Sequence, residues 1–404
     1  MYSPASAKSA VEKAGASAVK IAIDTWCLGA HARNHGVYVY ALNLLAHFRE
    51  IAPRHQVEIT PYVSSAMEND ANRFEAAPGF NPRQTGLLKF SRLWRFGGAC
   101  SLTTVQGADL VFSPHCTSLY AGGLPPAVVT LHDLIPVVMP WGSRRITATL
   151  RFCLWWAATF SRAVITDSQF SKQDLVNVYG LPQEKVSVVH LAYDQERFNA
   201  SPPDAGLLQT LRHRFRGSRP YIFHHGVIKP NKNLKRLVEA YRLLLARNRN
   251  LEFDLVLAGP CGWEYEEVVA AANEDFGSQG SVVLTGALKD DDLSVLLKGA
   301  SLCVVPSLYE GFCIPMVEAM ACGVPTIASN SSCLPEISGG VLKYFDPRSI
   351  DEMAVCMEEV LESSHLRNEL SERGRLRAAD FSWRRCAEET LAILAQCARE
   401  GRRK

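Results

Sequence analysis

The sequence predicts two α/β domains, each built on a parallel sheet, and three observations carry that reading. The chain has 404 residues, more than one hydrophobic core usually fills. Apolar runs of strand length alternate with stretches of helical period in both halves of the chain. A polar, proline-containing break, NASPPDAG at 199–206, interrupts that alternation once, near its middle.

Taken in order, VKIAIDTW (19–26), rich in apolar residues, opens the first sheet. VYVYALNLLAHF (37–48) then repeats its large apolar side chains at helical spacing. ADLVFSP (108–114), AVVTLHD (127–133) and RAVITDS (162–168) supply later strands, and Arg144 to Phe160 reads as a long helix. Beyond the break the alternation restarts with strand YIFHHGV (221–227) and helix NLKRLVEAYRLLLARN (233–248). Strand FDLVLAG (253–259), helix WEYEEVVAAANE (263–274), strand SVVLTG (281–286) and helix DDLSVLLKGA (291–300) follow. The series closes with LCVVPS (302–307), a helix in PMVEAMACG (315–323), and PTIAS (325–329). The predicted domains are 1–202 and 203–380, with a last helix at about 381–400 folding back onto the first.

Composition removes several classes of function. Hydrophobic residues make up 47% and charged residues 21% of the chain, an ordinary globular balance. A net charge of +2 gives no electrostatic footprint for nucleic acid. The charge is uneven, with 18 basic against 14 acidic residues through Ala200 and 25 against 27 after it. The twelve cysteines lack paired metal-ligand spacing, and Cys153, Cys303 and Cys322 sit within apolar runs, so they are expected to be buried, reduced thiols. Residues 1–18 contain no signal-length apolar core, and no run approaches the roughly 20 apolar residues of a membrane span. The expected location is therefore the cytoplasm. Neither GxGxxG after a strand nor GxxxxGK[ST] occurs, so the simple dinucleotide and P-loop readings lack their motifs.

One stretch asks for a ligand. YEGFCIPMVEAMACGVP (309–325) lies between the strands LCVVPS and PTIAS, hence at the carboxyl end of the second sheet, where open α/β sheets bind ligands. Pro315 suits the first helical position and Gly323 the C-terminal cap, which predicts a helix over 315–322 with Glu318 in its first turn. Gly311, Phe312 and Cys313 then offer backbone N–H groups at a positive helix end, an arrangement suited to phosphate. Glu318 suits a vicinal diol, and Glu310 the hydroxyls of a second group beyond the phosphates. Taken singly, each glutamate also has a plainer reading, one as a partner of the helix dipole and the other as a solvated loop residue. The aspartates of KDDDL (289–293) read as N-capping and first-turn acids of the following helix, not as a metal site.

SLYEGFCIPMVEAMACGVPTIASNSSCLPEISGG (307–340) resembles the Glu-seven-Glu signature of retaining glycosyltransferases of family four, which have the GT-B fold. VVTLHDLIPVVMP (128–140), the stretch 164–194, GVIKPNKNLKRLVEAY (226–241), LVLAGPCGWEYEEV (255–268), the stretch 283–307 and FSWRRCAEETL (381–391) agree with that family in order. The resemblance implies two Rossmann-like domains facing across a cleft, the first for the acceptor and the second for a nucleoside diphosphate sugar. It implies that Glu318 binds the nucleoside ribose, and that Glu310 with the backbone of Gly311, Phe312, Cys313 and Ile314 binds the donor sugar. It places Lys232 on the diphosphate, with Lys229 beside it, and His132 near the reacting carbon. Gly36 matches a loop glycine before the first helix, close to diphosphate and acceptor. Glu310, Lys232 and His132 are thus the candidate catalytic residues, and no cofactor or metal is implied.

The chain departs from the family at Val227 and Asn231, where many relatives carry basic residues, and at Tyr38, where many carry a second glycine. The expected reaction is retaining transfer of a hexose to a glycan or lipid-linked acceptor, with GDP-mannose favoured over UDP-sugars. A sugar-nucleotide epimerase of similar fold and a non-catalytic sugar-nucleotide-binding protein are the competing readings. Residues 76–108 contain Arg83, Lys89, Arg92 and Arg95 and no acid, interleaved with aromatic residues. Two readings stand open for the part at 80–96: peripheral contact with the inner face of the cytoplasmic membrane, or an amphipathic helix packed on the first sheet.

Overall fold

The computed structural model describes residues 18–28, 36–64, 83–85, 107–115, 125–140, 144–215 and 219–402. Two parallel sheets organise them. The first holds β1 (Val19–Asp24), β2 (Val57–Ser64), β3 (Arg83–Thr85), β4 (Leu110–Ser113), β5 (Ala127–Thr130), β6 (Ala163–Thr166) and β7 (Val186–Val188). Its spatial order is β3-β2-β1-β4-β5-β6-β7. The second holds β8 (Tyr221–His225), β9 (Asp254–Ala258), β10 (Val282–Gly286), β11 (Leu302–Val305), β12 (Thr326–Ser329) and β13 (Lys343–Phe345), in the order β10-β9-β8-β11-β12-β13.

Both sheets reverse their winding beside their first strand. Ile21 of β1 lies between Ile59 and Leu110, and Ile222 of β8 lies between Leu255 and Leu302. The loops leaving β1 and β4, and those leaving β8 and β11, therefore diverge from a crevice at the carboxyl ends of the strands, where ligands of doubly wound sheets bind. Strands β8, β9 and β11 are buried at every position, which explains why they are apolar apart from His224 and His225 at the end of β8 and Asp254 at the start of β9.

The structure also differs from the sequence reading. Strand β2 was not anticipated, because Pro61 interrupts VEITPYVS; it nonetheless pairs with β1 on one side and β3 on the other. Strands β3, β7 and β13 have three residues each, too few to show a period. The helix expected at 263–274 spans only Glu266–Ala272. The KDDDL aspartates do not cap their helix. Lys289 occupies the N-cap, Asp290 to Asp292 form the first turn, and Asp290 and Asp291 each lie 3.2 Å from the Arg197 guanidinium. Residues 86–108 of the basic aromatic stretch, like 76–82, lie outside the described residues except for Gly107 and Ala108, so the proposed contact at 80–96 is described only in the backbone of Arg83–Thr85.

The last helix, Trp383–Arg402, packs against the helix Gly36–Ile51 and strands β1 and β4. Arg402 donates to Asp109 at 2.7 Å and to the Ala18 carbonyl at 2.6 Å, while Arg162 pairs with Glu400 at 2.6 Å. The chain's end thus closes over the amino ends of the central strands of the first sheet, tied by charge as well as by the apolar face of the helix.

Candidate active site

The loop after β8 and the loop after β11 meet at the second crevice. Lys232, in the turn Pro230–Lys232, places its Nζ 2.7 Å from Glu310 Oε1, with only 8% and 10% of the two side chains exposed. Burial opposes the ammonium charge, and the Glu310 carboxylate more than offsets it, so Lys232 is held above its ordinary pKa. Lys229 behaves oppositely. Burial and the neighbouring Lys232 charge pull its pKa down, and its Nζ sits 5.2 Å from the Trp263 ring centre, where the ring face attracts a cation.

Glu318 is not in the first turn, as the sequence reading had it. Cys313 adopts a left-handed conformation (φ 70°) and the helix Ile314–Ala321 starts one residue earlier than expected, putting Glu318 just past the first turn. There its Oε2 lies 2.8 Å from His225 Nε2 at the end of β8. His225 was missed at the sequence level, and so was its neighbour His224. His224 Nδ1 donates to the Val304 carbonyl at 2.9 Å, and burial followed by the nearby Lys232 charge pushes the imidazole down to about 3. His224 is therefore neutral, and its Nε2 is a buried acceptor with no hydrogen-bond partner among the described residues. The signal available in the sequence was the pair His224–His225 at the carboxyl end of an otherwise apolar strand.

Side chains from neighbouring loops fix the backbone of 307–310. Asn231 donates to the Tyr309 carbonyl at 2.9 Å and Ser331 to that of Leu308 at 2.8 Å. Ser332 Oγ accepts from the Glu310 N–H at 3.1 Å. Asn231, a departure from the family's basic residue, is thus a structural tie between two loops rather than a charge.

The first domain supplies His132, which leaves β5 at its carboxyl end. Its Nδ1 lies 2.8 Å from Asp167 Oδ2 and its Nε2 3.2 Å from the Pro114 carbonyl. Two acceptor oxygens flank the ring, an arrangement that favours the doubly protonated imidazole over either neutral tautomer. Burial works against that charge, and Asp167 outweighs it, raising the His132 pKa. In that form the ring is a hydrogen-bond donor on both nitrogens. Asp167 is the third residue that sequence reasoning overlooked; its only mark was an acid following the strand AVIT.

Replacing Asp167 by asparagine is expected to destabilise the fold most at low pH. A raised folded-state pKa means the stabilisation is complete below the unfolded value near 6.5 and is lost as pH rises through the folded value. Removing one partner of a buried pair costs about 3–5 kcal/mol. Denaturant midpoints across pH check this: the gap between native and Asp167→Asn protein should narrow from pH 6 upward, and a constant gap would show that His132 is not charged.

The domains meet closely around this crevice. A Cβ at Gly311 would lie 2.1 Å from the His132 carbonyl oxygen, so only glycine fits there. Gly36 begins the helix Gly36–Ile51 rather than preceding it, and a Cβ there would sit 4.0 Å from Ile314 Cδ1. Two helix N-termini, one from each domain, thereby face one space. Glu336 of the second domain accepts from the N–H groups of Gln169 (2.7 Å) and Phe170 (2.9 Å), while Ser168 caps Ser171 at 3.1 Å. The first turn of the helix Gln169–Tyr179 is therefore satisfied partly from across the crevice. Tyr309 adds a hydrogen bond to Asp174 at 2.6 Å. The structure thus gathers His132, Lys229, Lys232, Glu310, Gly311 to Ile314, Glu318 and Gly36 around one crevice.

Comparison with known proteins agrees with this architecture. Residues 24–197 match the family described as Glycosyltransferase Family 4, and residues 211–377 the one described as Glycosyl transferases group 1. The O-antigen chain mannosyltransferase B of Escherichia coli is 30% identical over 270 residues, 66% of this chain and 70% of that protein. The serotype-specific mannosyltransferase WbdA of the same organism is 31% identical over 283 residues, 69% of this chain, which spans only 34% of WbdA. Among solved structures, sucrose-phosphate synthase from Thermosynechococcus elongatus superposes with a TM-score of 0.72 at 18% identity, covering 94% of this chain and 98% of that one. Anabaena HepE, solved with UDP and glucose, gives 0.69 at 17% identity over 94% and 100% of the two chains.

Proposed function

We propose that this chain, which belongs to the family-four glycosyltransferases of GT-B fold, transfers a mannosyl group from a nucleoside diphosphate sugar, with retention and without metal, in polysaccharide synthesis. The buried Lys232 ion pair facing the helix end at Gly311 to Ile314 is the observation that carries this reading. When the glycosidic bond of such a donor breaks, its electron pair goes to the diphosphate, and the leaving group gains negative charge. A preorganised ammonium and uncapped helix N–H groups are the counter-charge that this step needs, in a site dry enough to make them count. They supply the role that a divalent cation fills elsewhere, and Asp290 and Asp291 of KDDDL pair with Arg197.

In this reading the second domain (203–380) binds the donor and the first (1–202) the acceptor, a glycan or a lipid-linked saccharide. Glu318 receives the ribose hydroxyls, oriented by its bond to His225. Glu310 and the backbone of Gly311, Phe312, Cys313 and Ile314 receive the sugar. Lys232 turns from Glu310 towards the diphosphate, with Lys229 in support. His132, as a charged donor, addresses the donor from the acceptor side, and Gly36 leaves room for the diphosphate at its helix end. The mannosyltransferase names of the similar proteins support mannose as the sugar transferred, and GDP is the carrier proposed for it.

The test is transfer from GDP-mannose and from UDP-glucose to an oligosaccharide acceptor, with the anomeric configuration of the product assigned by NMR. A retained product, unaffected by chelator, is expected. Glu318→Gln should raise the donor KM with kcat largely kept, since it removes binding shared by ground and transition states. An inverted product, or activity abolished by chelator, overturns the proposal.

A further inference from the structure

The helix Arg144–Phe160 presents an unusual outer face. Its inner side, Cys153, Leu154, Ala157 and Ala158, is buried on the first domain. On the outer side Arg144, Ala148, Phe152, Trp155 and Thr159 follow one another at spacings of three and four, with Arg145 beside them. Phe152, Trp155 and Phe160 are 45%, 41% and 42% exposed, although large aromatic side chains are costly to leave in water. They form a continuous patch with Trp156: the ring centres of Phe152 and Trp155 are 5.8 Å apart, those of Trp155 and Phe160 5.7 Å, and those of Trp156 and Phe160 4.4 Å. Charge on this element has one sign. From Leu134 to Thr166 the chain contains four arginines and no aspartate or glutamate.

We propose that this face docks on the surface of an anionic lipid bilayer. Exposed arginines at the helix's start match the headgroup phosphates, and the aromatic patch at its end matches the depth of the headgroup and upper acyl region, where amphipathic rings settle. A protein partner would be expected to meet arginines with acids and leave a mixed rim, whereas a bilayer asks for this uniform sign. Insertion is shallow, because among the described residues no helix is long and apolar enough to cross a membrane. Arg151 pins the helix to the turn Ile135–Val138 by donating to the Val137 carbonyl at 2.9 Å and to that of Pro136 at 3.2 Å. That turn follows His132 and Asp133 directly, so the docked helix holds the crevice beside the lipid surface. This surface does not include residues 80–96 and stands whichever acceptor the enzyme uses.

The experiment is co-sedimentation of the full chain with phosphatidylcholine vesicles, with and without phosphatidylglycerol, at low and high salt. Binding to the anionic vesicles at low salt is expected. Arg144→Gln/Arg145→Gln should weaken it about 25-fold, since each basic residue near such a surface is worth about a factor of five. Phe152→Ser/Trp155→Ser, both at exposed positions, should abolish it while keeping the native thermal midpoint and transfer to a water-soluble acceptor. No binding at low salt, or native binding by both double variants, overturns the proposal. So does binding lost only on changing Arg92 and Arg95, or self-association in sedimentation equilibrium that the Phe152→Ser/Trp155→Ser change removes without vesicle binding ever being seen.

Discussion

Lys232→Ala is expected to lower kcat/KM by about 10²–10³, the magnitude for losing one preorganised donor to a developing oxyanion. The loss should fall mainly on kcat, because charge on the diphosphate grows only as the bond breaks. The variant carries a second penalty. Glu310 loses its partner at 2.7 Å while remaining buried, and an uncompensated buried charge costs about 3–5 kcal/mol. Lys232→Ala/Glu310→Gln removes that penalty by leaving a neutral group behind. Its thermal midpoint should recover towards native while its kcat does not. A folded Lys232→Ala protein with unchanged kinetics would refute the role given to Lys232.

The other large effect is expected at Gly311. An alanine Cβ would lie 2.1 Å from the His132 carbonyl oxygen and 3.2 Å from Asp133 Cβ, so the backbone of one domain must withdraw from the other. Nothing flexible is available to yield, because the obstruction is main chain. Withdrawal by even an ångström separates His132 from the Lys232–Glu310 pair, and such misplacement costs about 10² in rate. Gly311→Ala should therefore reduce kcat/KM by about 10² or more while leaving nucleotide binding near native, since Glu318 and His225 lie on one side of the contact. Hydrogen exchange should rise at Gln169 and Phe170, whose N–H groups are held by Glu336 across the crevice. Native activity in Gly311→Ala would mean that the close approach is not used in the reaction.

The amino-acid sequence by itself determined the class of the molecule. Alternating strand and helix patterns with one break at 199–206 specify two parallel sheets, because a strand buried on both faces must be apolar throughout and a crossover helix must be amphipathic. It also marked Glu310, Lys232 and His132, each in a loop that follows a strand, and Glu318 in the helix that starts from such a loop. What it left open was partnership. His225 and Glu318 are 93 positions apart, His132 and Asp167 35, and Gln169 and Glu336 167. Local periodicity carries no trace of such pairs. They arise because parallel strands bring their carboxyl ends to one edge, and because the winding reverses beside β1 and β8, so that loops distant in sequence leave the sheet side by side. The start of the helix at Ile314 was decided in the same way, by the left-handed turn at Cys313 that the packed loop imposes. The bias on each charge is set there too: Asp167 raises the His132 pKa against its burial, whereas burial beside Lys232 keeps His224 neutral. A sequence names the titratable group, but only the folded chain sets the burial and the neighbour that fix its charge.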